Sequence, residues 1–105
     1  MNMIHSQGYE IRSKSAGPFW LTFDIFCADA ETFGKLCGDP HLSAPSMAAL
    51  FHSDPEQVRI FHMAPLNVIK ISLPRPVVQG SVADRDMHGA QWGYVLAEEL
   101  ARAGV

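Results

Sequence analysis

The sequence predicts a small α+β domain: a mostly antiparallel sheet with helices packed on one face, a ferredoxin-like variant lacking one strand. Three observations lead there. Residues Phe19 to Phe26 alternate apolar and polar side chains with period two. Residues Val58 to Met63 and Val68 to Leu73 repeat that habit around a proline-containing turn, and the segments between and after them space their apolar residues as helices do. At 105 residues, 48% hydrophobic and 18% charged, the chain has the apolar content to bury a core within one domain spanning 1–105.

Residues 1–11 carry no strong pattern and read as an arm or a short helix. In the first strand Phe19, Leu21, Phe23 and Ile25 form the expected core face, opposite Trp20, Thr22, Asp24 and Phe26. Asp29 can cap a short helix that buries Phe33, Leu36 and Cys37, and Gly38-Asp39-Pro40 stops it. Pro45 suits the first position of a second helix burying Met47, Leu50 and Phe51. Turn chemistry at Ser53-Asp54-Pro55-Glu56 leads into the hairpin, whose second strand sends Ile69, Ile71 and Leu73 one way and Val68, Lys70 and Ser72 the other. Pro74-Arg75-Pro76 ends that strand, since proline donates nothing to a ladder. An irregular stretch from Val77 to His88 precedes a last helix, about Gly89 to Ala103, with Trp92, Val95, Leu96 and Leu100 as its apolar stripe. The sheet face away from the helices then carries Trp20, Thr22, Asp24, Lys70 and Ser72, and is either solvated or docked on a partner.

Composition excludes several classes. A formal net charge of −3 argues against nucleic acid or an anionic membrane surface as partner, because phosphate binding rests on clustered Lys and Arg. No apolar run approaches the roughly 20 residues of a membrane helix, and residues 1–9 lack a signal-peptide pattern. Two cysteines, Cys27 and Cys37, do not make a disulfide framework. The expectation is a cytoplasmic protein with reduced thiols, no cofactor and no assigned metal.

Two stretches carry chemistry. In Arg12-Ser13-Lys14-Ser15-Ala16-Gly17-Pro18, Arg12 offers a planar fork and Lys14 a point charge. The hydroxyls of Ser13 and Ser15 and the loop amides around Gly17 add donors. Read as a loop, this is a local receptor for a carboxylate or phosphate. The structural alternative pairs Arg12 and Lys14 with Asp24, Asp84 or Asp86. The second stretch, Pro74 to Gln91, supplies Arg75, Arg85 and Gln91 as further anion ligands. Its alternating Asp84, Asp86 and His88 have weak metal-ligand spacing, and local turns explain them better. Asp24 in mid-strand must be paired, with Lys70 as the obvious partner, or functional. With Asp86 and His88 it makes the candidate acid–base set. Cys27 and Cys37 lie in apolar surroundings that do not favour nucleophiles.

The motifs "RSKSAGPFWLTFDIF", "IKISLPRPVVQG" and "DRDMHGAQ" resemble a family of roughly hundred-residue bacterial proteins of unknown function. Its members accompany, or are fused C-terminal to, proteins similar to the acyclic terpene utilisation family. The likeness covers about Ile11 to Gln91, with Ser15 standing where the family pattern has Asn and with a divergent stretch after Gln91. The resemblance implies an oligomer with a larger partner subunit of that kind. It also implies lyase, hydratase or isomerase chemistry on a small carboxylate or acyl-CoA substrate, the anion-binding loop sitting at the subunit interface. A stand-alone isomerase or dehydratase and a non-catalytic interaction module are the alternatives.

Overall fold

A computed structural model describes residues 8–75 and 92–105, together with the backbone of residues 3–5. The chain begins with strands β1 (Met3–His5), β2 (Tyr9–Ser15) and β3 (Trp20–Cys27), followed by helices α1 (Ala30–Cys37) and α2 (Ala44–Phe51). A hairpin of β4 (Arg59–Met63) and β5 (Val68–Pro74) comes next, and helix α3 (Trp92–Arg102) closes the described chain. The sheet runs in the order β1-β2-β3-β5-β4, with every neighbouring pair antiparallel.

This is the α+β fold expected, with two strands, β1 and β2, added on the N-terminal side. In a ferredoxin-like fold a strand, a helical crossover and a second strand leave a gap that the following strand fills. Here β3, the α1–α2 crossover, β4 and the inserted β5 reproduce that unit. The place beside the first strand, which the expected variant lacks, is taken by β2 from the N-terminal side. Residues 9–11, read from sequence as part of an arm or short helix, are therefore sheet. Tyr9 and Ile11 are buried, and the Tyr9 hydroxyl donates to the Val105 carbonyl at 3.0 Å beyond α3.

Local chemistry sets the helix ends. Asp29 caps α1, its Oδ1 accepting from the Thr32 amide at 2.8 Å, and Ser43 caps α2 by accepting from the Ser46 amide. All three helices cover one sheet face, where Leu21, Phe23, Ile25, Ile69, Ile71 and Leu73 meet Phe33, Leu36, Met47, Phe51, Leu96 and Leu100. Phe51 joins the layers, 5.0 Å from Phe23 and edge-on to Trp92 at 6.1 Å between ring centres. Each such side chain withdrawn from water contributes about 1.5–3 kcal/mol.

Some expected core positions lie elsewhere. Phe19 is 61% exposed because the Ala16 amide to Trp20 carbonyl bond closes the β2–β3 turn around it, before the alternation of β3 begins. Val95 is exposed because α3 buries Gly93, Leu96, Ala97 and Leu100, a stripe from which Val95 is rotated away. The irregular stretch and the start of the last helix, as read from sequence, fall in residues 76–91, outside the described residues.

Candidate functional site

The face of the sheet away from the helices is built in cross-strand rows, because residues paired in an antiparallel ladder share a side and stand about 4.5–5.5 Å apart at Cβ. One row runs Arg12, Asp24, Lys70, Phe61 across β2, β3, β5 and β4. Beside it run Lys14, Thr22, Ser72, Arg59 on one side and Glu10, Phe26, Val68, Met63 on the other. Arg12, Lys14, Asp24 and Phe26 line a hollow of about 220 Å³, to which Ser13 also contributes.

Electrostatics within the hollow depart from the expected pairing. Asp24 is flanked by Arg12 and Lys70 in the register, yet among the described residues it forms no ion pair within 4.0 Å with either. Arg12 turns along its own strand to Glu10, its Nε donating to Oε1 at 3.2 Å, and its guanidinium lies 5.3 Å from the centre of the Phe26 ring. The aromatic face and the Glu10 carboxylate together draw the cation one row away from Asp24. Among the described residues, Asp24 Oδ1 is consequently buried without a hydrogen-bond partner.

The segment read as a cationic loop is strand through Ser15, and this divides the donor set. Alternation sends Arg12 and Lys14 to the hollow and sends Ser13 and Ser15 to the helix side. Ser13 Oγ accepts from the Gly93 amide at 2.7 Å in the first turn of α3, and Gly93 permits that approach: a Cβ there would stand 3.1 Å from the same oxygen. Ser15 Oγ accepts from Arg75 Nε at 3.0 Å, and the Arg75 amide donates to the Phe19 carbonyl at 2.8 Å. Arg75 is thereby buried as a brace at the end of β5, apart from Arg12 and Lys14. Gly17 sits at φ +79° at the hairpin tip with open space around it, so its contribution is the turn.

Of the sequence-derived candidates, the fold brings Arg12, Lys14 and Asp24 together at the hollow; Ser13 borders it while its hydroxyl is taken by the Gly93 amide, and Ser15, Gly17 and Arg75 lie elsewhere. Arg85, Asp86, His88 and Gln91 lie outside the described residues, as does Asp84. Phe26 and Glu10 join the site as members that reading the motif as a loop did not identify, since the ladder places them beside Arg12 and Asp24; Lys70, expected from sequence opposite Asp24, stands there in the register. Among the described residues no three His, Cys, Asp or Glu side chains gather as a metal site.

The thiols are poorly suited to attack. Burial, with smaller contributions from Cys37 and Asp29, pushes Cys27 up to about 11, and burial also raises Cys37, so thiolate is scarce near neutrality. The hollow can instead hold an anion through charge and accept a hydrogen bond through Asp24.

A family model described as a domain of unknown function, DUF4387, matches residues 5–99. The chain belongs to this family. The match spans β2 through most of α3, reaching further at both ends than the motif likeness over Ile11 to Gln91. No match was found among curated proteins or among solved structures. Among the described residues of this DUF4387 chain, no helix is long and apolar enough to cross a membrane.

Proposed function

We propose that this DUF4387 chain is the small subunit of a heteromeric enzyme of lyase or hydratase type, with its uncovered sheet face supplying an anion-binding wall to a carboxylate or acyl-CoA substrate. The observation that carries this reading is the hollow itself: Arg12 and Lys14, two cations of an acidic chain, face one small concavity beside Asp24 and Phe26. Such a wall contributes positioning and charge stabilisation. In this reading the bond-breaking groups come mainly from a second protein. The motif resemblance names that protein's class, a larger subunit similar to the acyclic terpene utilisation family. Exposed Phe61 and Trp20 on the same face, with Phe19 at the adjoining turn, offer the apolar area a partner would cover.

The test is co-expression of the chain with the protein encoded beside it, followed by purification and a turnover assay on branched acyl-CoA esters and their free acids. A stable complex active only with both chains supports the reading, and a chain that neither binds that neighbour nor alters its turnover overturns it. Replacing Arg12 and Lys14 by glutamine then separates roles. Intact assembly with turnover lost marks a substrate wall, whereas lost assembly marks a purely structural interface. The Asp24 oxygen that has no partner among the described residues favours one second reading, a stand-alone isomerase or dehydratase using Asp24 as acid or base, for which activity would appear without any second chain.

A further inference from the structure

Strand β4 is an edge of the sheet: it pairs with β5 on one side, and among the described residues nothing pairs with its other side. An edge strand exposes a row of amide and carbonyl groups that a further strand can take up, and proteins blunt such edges with charge, proline, bulges or short length. The opposite edge, β1, is only three residues long. Strand β4 has no comparable guard. Arg59–Met63 contains no proline, and its register with β5 runs unbroken from Arg59 opposite Ser72 to Met63 opposite Val68. Its one formally charged side chain, Arg59, is turned back on its own chain, where Nη1 donates to the carbonyls of Glu56 and Val58. We infer that β4 pairs antiparallel with β4 of a second copy of this chain, joining two sheets across a two-fold axis at Phe61.

The strand itself selects this occupant. Two identical antiparallel strands are related by a two-fold axis, and only an axis at the middle residue, Phe61, lets all five residues pair. That register sets Phe61 against the partner's Phe61, Ile60 against the partner's His62, and Arg59 against the partner's Met63. Phe61 is 52% exposed, so an aromatic pair there withdraws apolar surface from water. Charge is compatible. The two Arg59 positions stand four residues apart along the paired strands, roughly 13 Å at about 3.3 Å per residue, so neither cation meets its like. The row of Lys14, Thr22, Ser72 and Arg59 continues into the partner's row of Met63, Val68, Phe26 and Glu10, so each cationic row runs on into one that ends in an acid. Space is available too: His62 points to the helix side, edge-on to Phe33, yet is exposed, so the helix layer leaves that side of the edge open. Opposed residues of an antiparallel pair share a side, so both helix layers lie on one side of the joined sheet and both open faces on the other. The inference goes beyond the heteromeric reading and needs no second kind of chain.

Five residue pairs make a small interface, which puts the expected dissociation constant at about 1–100 µM. The experiment is sedimentation equilibrium of the full chain alone from about 0.5 µM to 1 mM, a span that brackets such affinities. The expected result is conversion of the monomer to a species of twice the chain mass within that span. Phe61→Lys and Phe61→Glu should each weaken the dimer by about tenfold or more, because like charges then stand opposed at the axis. Mixed in equal amounts, the two variants should recover a dimer containing one of each, since position 61 faces itself in this register. Phe61 is exposed, so both variants should keep the unmodified chain's melting temperature. Phe19→Lys, which charges another exposed aromatic at the β2–β3 turn, should leave the dimer unchanged. A chain that stays monomeric up to about 1 mM, a dimer that Phe61→Lys leaves intact, a mixture of the two charged variants that stays monomeric, or a dimer that Phe19→Lys disperses overturns the inference. Every arm uses this chain alone, so failure here is distinguishable from failure to assemble with a larger subunit.

Discussion

Ser13 and Lys14 are adjacent in sequence and differ in everything that decides their effect. Ser13 Oγ takes the Gly93 amide in the buried seam between β2 and α3, so Ser13→Ala leaves that donor without its acceptor and should cost about 1–2 kcal/mol in urea denaturation. Lys14 points outward to the hollow, and Lys14→Ala should stay within about 0.5 kcal/mol in the same assay while weakening anion binding. At Gly17 the left-handed backbone angle makes the substitution strained although space is open: Gly17→Ala should lose about 1–2 kcal/mol and leave ligand affinity unchanged. These three variants separate residues of one motif by what they touch, which the motif alone could not do.

Strand β2 shows what could and could not be read from the sequence. Tyr9–Ser15 does alternate, but its inward set ends in two serines, and a period-two pattern with only Tyr9 and Ile11 as apolar members is weak beside that of β3. The serines face inward because hydroxyls there are consumed by Gly93 and Arg75, contacts 80 and 60 residues away in sequence that no local pattern announces. Strands β3, β4 and β5 were legible because their inward positions are Leu, Ile and Phe, or Ile and a histidine stacked edge-on to Phe33. Helices α1 and α2 were legible through Asp29, Pro45 and the Gly38-Asp39-Pro40 stop. At the end of α2, His52 adopts φ 55°, a left-handed cap that glycine accepts without strain. His52→Gly should therefore raise stability by about 0.5–1 kcal/mol, read as a higher denaturation midpoint with an unchanged slope.

At the level of the whole molecule, the site was half legible. Arg12, Lys14 and Asp24 stood out by residue type and Lys70 by its place opposite Asp24, whereas their convergence with Phe26 and Glu10 exists only in the ladder of a folded sheet. The fold also fixes how the protein responds to alkali. Burial, with Asp39 and Cys27 adding to it, pushes the Tyr9 hydroxyl up to about 12 from 10.0, and Cys27 rises to about 11 from 9.0. Both groups prefer their neutral forms in the folded chain. Their contribution to stability is therefore intact below pH 9 and is lost as pH climbs through 9–12. Urea midpoints measured across that range should fall steadily. Tyr9→Phe should begin lower, for want of the hydrogen bond to Val105, and lose the part of the decline above pH 10 that belongs to the phenol. Asp29 acts at the other end of the scale: its bonds from Thr32 hold its pKa below 3.8, so the cap weakens only as acid protonates it.

The two faces of β2 also carry a consequence for how this chain tolerates change. Along Tyr9–Ser15, positions facing the helices answer to packing and the intervening ones to whatever the hollow holds. A saturation library scored once for cellular abundance and once for ligand capture should give two sensitivity profiles along this strand, each with a period of two and out of phase with one another. Tyr9, Ile11, Ser13 and Ser15 would dominate the first, and Arg12 and Lys14 the second. Selection could then retune what is bound by altering alternate letters of a single strand while abundance stays constant.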